Sequence, residues 1–131
     1  MEYLFVYGSL MFGMENNHIL KKYGKFVSDA NTIVKNFALY DDGDSPWLAV
    51  ESQAGKLYGE VWTVTDLSYL DEFESECNRI LASIHYRGTK INQDVYMYIP
   101  RENPPANLRK LRVANWKLYI ASGKSEVALT E

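Results

Sequence analysis

Short runs of aromatic and β-branched residues recur along this chain, and clusters of turn formers close most of them. No other feature constrains the fold as much. Tyr3–Tyr7 reads as a buried first strand, broken by Gly8-Ser9. Thr32–Tyr40 reads as a second strand, ended by Asp41-Asp42-Gly43-Asp44-Ser45-Pro46. Trp47–Val50 is a short strand, and Ser52-Gln53-Ala54-Gly55 has the composition of a hairpin turn. Lys56–Val64 follows as a strong strand with Gly59 inside it. A strand glycine often marks a bulge or a close approach of another backbone. Tyr86–Ile91 and Val95–Ile99 read as paired strands joined by Asn92-Gln93-Asp94, and Trp116–Tyr119 marks a final element.

Two segments have helical character. Glu15–Tyr23 is short and stops at Gly24, and Asp66–Cys77 is amphipathic. Strands outnumber helices and follow one another in hairpin order. The expected class is α+β, built on a mixed or antiparallel sheet that a small domain can close into a barrel. Residues 1–121 read as a single domain, and residues 122–131 as a polar C-terminal tail expected to fray.

Of the 131 residues, 47% are hydrophobic, enough for a core without staples. The net charge of -3 argues against a nucleic-acid partner, which would need a basic stripe. It leaves an anionic small molecule open, since that needs only local positive potential. Cys77 is the single cysteine, so the chain can form neither an internal disulfide nor a cysteine-based metal cluster. A buried structural thiol is the favoured reading for it over a nucleophile. The start of the chain lacks the pattern of a signal peptide, and no apolar stretch approaches the ~20 residues of a membrane helix. The expectation is a cytoplasmic protein without a membrane partner.

The segment Asp66–Cys77 carries the clearest chemical clue. At ~100° per residue, Leu67, Leu70, Phe73 and Cys77 form one apolar stripe. Glu72 and Glu76 lie toward the opposite side, but Glu74 points with the stripe. A carboxylate aimed at a core must be paired, hydrogen-bonded or protonated. Desolvation raises its pKa toward the range useful for proton transfer. Periodicity leaves two readings open: a general base, or one half of a structural salt bridge with Arg79 or Arg87. Glu60 is a rival, since it shares a strand face with Tyr58 and Trp62. For Glu60 the favoured reading is a carboxylate bonded within the sheet.

Tyr7-Gly8-Ser9-Leu10 ends a buried strand and precedes a helix. Glycine lets the backbone turn there and leave amide N–H groups exposed, which can hold a carboxylate or an oxyanion. Ser9 has no triad partner at recognisable spacing in His18 or His85, and the flanks are not a nucleophile elbow. The two histidines also lack the spacing of a metal site, so no metal is expected.

Taken in order, these pieces resemble the γ-glutamylcyclotransferase-like family, in its bacterial and plant branch. The resemblance begins at Phe5-Val6-Tyr7-Gly8-Ser9-Leu10, with Gly13-Met14 and Asn17-His18. It continues through Ala38-Leu39-Tyr40, Gly43, Ser45-Pro46 and Gly59-Glu60-Val61-Trp62. Leu70-Asp71-Glu72-Phe73-Glu74 is similar to the helix bearing the family's acidic residue, Tyr86-Arg87 to a pair after it, and Trp116 to a late tryptophan. Ser75 stands where the family usually has glycine, and the stretch 75–85 is longer than the family pattern.

The resemblance implies a small β-barrel with flanking helices and a cavity. It implies Glu74 as the catalytic base, with Tyr7, Gly8, Ser9 and Leu10 lining the substrate site and Tyr86 and Arg87 beside it. The implied substrate is a γ-glutamyl compound whose α-amine attacks its own γ-carbonyl, releasing 5-oxoproline and an amine or amino acid. No cofactor is implied, because the nucleophile is already tethered. A catalytically silent ligand-binding module on the same scaffold is the alternative. An interaction protein, with an exposed apolar patch and no accessible cavity, is the third reading. What separates them is whether Glu74 faces an open cavity beside Gly8-Ser9 or is locked in a salt bridge.

Overall fold

A computed structural model describes residues 1–125. Strand β1 (Glu2–Val6) leads through a long turn into helix α1 (Asn17–Tyr23), which runs directly into β2 (Gly24–Thr32). A hairpin of β3 (Phe37–Asp41) and β4 (Pro46–Val50) comes next, then β5 (Tyr58–Val64) and α2 (Leu67–Phe73). The long hairpin β6 (Cys77–Tyr86) and β7 (Asn92–Pro100) precedes the short β8 (Arg109–Lys110) and α3 (Trp116–Ala121).

The strands form two sheets. A closed barrel has the order β1-β5-β2-β6-β7, and β4-β3-β8 form a separate three-stranded sheet. All barrel pairings are antiparallel except the closing contact, where Leu4 on β1 meets Tyr96 on β7 in parallel. Leu4 and Val64 lie on one face of the barrel sheet, and Val61, Ile84 and Met97 on the other. With Leu70 of α2 they belong to one core cluster, and all six are fully buried. This is the expected α+β class in its closed form.

Gly59 sits where the sequence reading placed a close approach. A Cβ there would stand 2.1 Å from the Val6 carbonyl oxygen, so β1 and β5 can meet only across a glycine.

Several boundaries differ from expectation. The strand read as Thr32–Tyr40 is two strands, with β2 occupying residues 24–32. Four of the first five β2 side chains after Gly24 are exposed, and a bulge falls between Phe26 and Ser28, so the hydrophobic alternation that marks a strand is missing. Gly24 does close α1, but as the first residue of β2 rather than as a stop. The second hairpin is shifted. Residues 77–86 and 92–100 are its strands, and the turn lies at Arg87-Gly88-Thr89-Lys90, with Gly88 at φ 76°. Helix α2 is also shorter than read, ending at Phe73, because the chain turns there to enter β6.

Residues 122–125 are tied to the domain: Ser122 donates to the Tyr119 carbonyl, and Lys124 pairs with Asp41 at 3.3 Å. The remainder of the expected tail, residues 126–131, lies outside the described residues. Among the described residues no helix is long and apolar enough to cross a membrane.

Candidate active site

The turn after β1 is built by its neighbours. Asn17 of α1 is buried and donates from Nδ2 to the Leu10 carbonyl at 2.8 Å. The Asn16 amide donates to the Ser9 carbonyl at 2.8 Å, and Asn16 Nδ2 donates to Ser9 Oγ at 2.8 Å. Ser9 is thus a structural hydroxyl with no histidine beside it. Gly8 is needed for space: a Cβ there would lie 2.9 Å from Cγ of Pro46 on β4. The turn folds back through a bond from Met11 N–H to the Gly8 carbonyl. Among the described residues nothing accepts the N–H of Gly8, Ser9 or Leu10. Three adjacent donors therefore remain for a ligand or water.

Glu74 faces this turn. A cavity of about 130 Å³ is lined by residues 5–10, Pro46, Glu74, Cys77, Tyr98 and Pro100. Glu74 is the C-cap of α2, where its own N–H donates to the Leu70 carbonyl at 2.7 Å. That bond keeps the residue on the Leu70 side of the helix one position past its last turn, so the periodicity argument holds although the helix has ended. Asp66 starts the same helix with a side-chain cap to the Ser68 amide at 2.9 Å.

The arginine that a structural reading would pair with Glu74 is engaged elsewhere. Arg79 binds Asp71 through Nη1 at 2.8 Å, and Tyr98 donates its hydroxyl to the same carboxylate at 2.7 Å. Among the described residues no cation pairs with Glu74. Among the described residues its side chain is bonded by the Cys77 thiol, 3.6 Å from Oε2. Burial pushes the Glu74 carboxyl above its usual range, and the thiol bond offsets only part of that.

The same burial, with the Glu74 charge beside it, pushes the Cys77 thiol up to about 12. Cys77 is therefore a protonated donor and a poor nucleophile. Burial and the neighbouring Cys77 and Glu74 also raise the Tyr7 phenol, whose hydroxyl donates to the Tyr98 carbonyl at 2.7 Å. Tyr7 is thereby kept as a neutral post of the cavity wall.

The fold brings Glu74, Tyr7, Gly8, Ser9 and Leu10 together. It does not bring Tyr86 and Arg87 to them. Residues 77–86 form one strand, roughly 30 Å of extended chain, so its far end stands well away from Glu74. Tyr86 is buried with its hydroxyl on Gln93, and Arg87 lies over the Tyr58 ring at 5.5 Å.

Glu60 is buried and fully engaged. It accepts from the Phe12 amide at 2.7 Å and from Trp62 Nε1 at 3.0 Å, and pairs with Lys117. Its bonds reach a loop amide and a helix lysine as well as its own strand, so it pins the loop that follows the turn. The sequence reading missed the contribution of Pro46, Tyr98 and Pro100 to the cavity wall, and placed Cys77 in the core rather than on that wall. Cys77 stands three residues after Glu74, a spacing that a turn as well as a helix brings together. Pro46, Tyr98 and Pro100 gave no such local signal. Among the described residues no group of three or more His, Cys, Asp or Glu is placed to hold a metal ion.

The family model for gamma-glutamyl cyclotransferase, AIG2-like, matches residues 4–118. The chain belongs to this family. No curated protein sequence matches it. Solved structures that resemble it include an AIG2-like protein from Mus musculus at 22% identity and TM-score 0.73, covering 86% of this chain and 87% of that one. An uncharacterized protein from Pyrococcus horikoshii matches at 16% identity and TM-score 0.73, covering 95% of this chain and 98% of that one. YkqA from Bacillus subtilis matches at 23% identity and TM-score 0.74, covering 96% of this chain and 43% of that longer one. At such identities these neighbours establish the shared fold. The family assignment rests on the match over residues 4–118.

Proposed function

We propose that this chain is a γ-glutamyl cyclotransferase that releases 5-oxoproline and an amine from a γ-glutamyl amide, with Glu74 as general base. One observation carries the reading. A half-buried carboxylate with no cation partner shares a small cavity with three unused backbone N–H groups. A carboxylate kept for stability would be paired; one kept for proton transfer needs a raised pKa and access to substrate.

The substrate amine arrives protonated, and Glu74 takes that proton. The free amine then attacks the γ-carbonyl of the same molecule, its nitrogen gives up a second proton as the ring forms, and both protons pass to the departing nitrogen, which leaves as an ammonium. The tether supplies proximity, which is worth up to about 10⁵–10⁸ M in effective concentration. The Gly8, Ser9 and Leu10 amides would receive either the α-carboxylate or the developing oxyanion. The Cys77 thiol, donating to Oε2, would leave Oε1 free for the amine.

The test is 5-oxoproline release from γ-glutamyl amines and dipeptides by wild type and Glu74→Gln. General-base loss predicts a fall of about 10²–10⁴-fold in the variant with its fold intact. Equal release by both would move the base elsewhere. No release from any substrate would favour a silent binding module.

A further inference from the structure

The cavity that holds Glu74 has room for only part of a γ-glutamyl amide. Its volume of about 130 Å³ falls below the ~300 Å³ at which small-molecule sites begin. A second cavity shares part of its wall. Cys77 and Pro100 line the first cavity and also the second, of about 290 Å³, together with Trp47, Glu76, Arg101 and Glu102. Trp47 follows Pro46, itself part of the first cavity, and its Nε1 donates to the Glu102 carbonyl at 3.1 Å, which holds the indole in place.

We propose that this second cavity is the subsite for the leaving amine, and that it selects amines with an apolar stem ending in a positive charge. The inference rests on the cyclotransferase reading. Trp47 and Pro100 give the stem an apolar wall, and an indole face also attracts a cation. The Glu76 and Glu102 carboxylates have no partner among the described residues. Arg101, the one cation of the lining, is already held, by the Ser75 carbonyl at 2.6 Å and Asn78 Oδ1 at 3.1 Å. A leaving group with its own carboxylate therefore meets two unpaired acids against one arginine, a lining of net negative charge. In the reaction the α-nitrogen bonds to the γ-carbon, the bond from that carbon to the leaving nitrogen breaks, and two of the three α-ammonium protons end on the leaving nitrogen, which departs as an ammonium. No further reactant is consumed.

The experiment compares γ-glutamyl amides of 1,5-diaminopentane, pentylamine and 5-aminopentanoate, with γ-glutamylmethylamide as a substrate that needs only the first cavity. Wild type is expected to rank them cationic, neutral, anionic in kcat/KM, with about tenfold between the ends, as two partly screened charges supply. In Glu76→Gln/Glu102→Gln the cationic-to-neutral ratio should fall toward one. In Trp47→Ala the pentylamide-to-methylamide ratio should fall several-fold through KM rather than kcat. Equal kcat/KM for the three long amides, or ratios that neither variant moves, would overturn the subsite while leaving the cyclotransferase standing. Failure to turn over even the methylamide would overturn both.

Discussion

Glu60→Ala and Glu74→Gln should move stability in opposite directions, although both remove a carboxylate from this small domain. Glu60 is 3% exposed and its partner Lys117 is 39% exposed. Removing it strands the Phe12 amide and the Trp62 indole N–H as well as the lysine. An unsatisfied buried donor costs about 1–3 kcal/mol, and breaking a fully buried ion pair about 3–5 kcal/mol. Lys117 and the loop amide can reach water, which places the total near the low end, at about 3 kcal/mol. For a domain of this size that is a Tm drop of roughly 10 °C.

Glu74 behaves otherwise because burial raises its folded pKa. Between its unfolded and folded pKa values the folded state binds more protons, so stability falls as pH rises through that window. The contribution is complete below the unfolded pKa and gone above the folded one. Once ionised, the side chain is a burden that Gln removes, and while protonated it is close to Gln in shape and charge, so this variant should match or exceed wild type. Urea unfolding at pH 7 reads both, given equal m-values. A Glu60→Ala cost under about 1 kcal/mol, or a Glu74→Gln cost as large as that predicted for Glu60→Ala, would refute the reasoning.

Gly59→Ala should destabilise by about 2–4 kcal/mol, because the new methyl meets the Val6 carbonyl and β1 must part from β5; urea unfolding checks it. Gly8→Ala presses on the Pro46 ring instead, and should raise KM for 5-oxoproline formation more than it lowers Tm. Cys77 should react with iodoacetamide at pH 8 far more slowly than a free thiol, since its pKa is pushed up to about 12. Cys77→Ser puts a stronger donor on Glu74, so the acid limb of the activity profile should move to lower pH.

The barrel class was legible because strand runs and turn clusters dominate the chain, and Gly59 announced the close approach of β1 to β5. Glu74 was legible for a local reason: its distance from Leu70 fixes its direction whether or not the helix continues. What failed depended on partners distant in sequence. Strand β2 is half-exposed and bulged, so pairing rather than pattern makes it a strand. The shift of the second hairpin carried Tyr86 and Arg87 to the far end of β6, away from Glu74. The pairing of Arg79 with Asp71 rather than Glu74 was likewise a tertiary outcome: periodicity puts both carboxylates within reach, and only the packing of β6 and β7 against α2 decides between them.

The central claim is that Glu74 removes the proton that starts ring closure. The most direct measurement is kcat/KM for 5-oxoproline formation against pH, for wild type and Glu74→Gln. The account predicts an acid limb in wild type above the ordinary glutamate range, with the rate lost in the variant across the whole profile. A variant within a few-fold of wild type, showing the same acid limb, would contradict it.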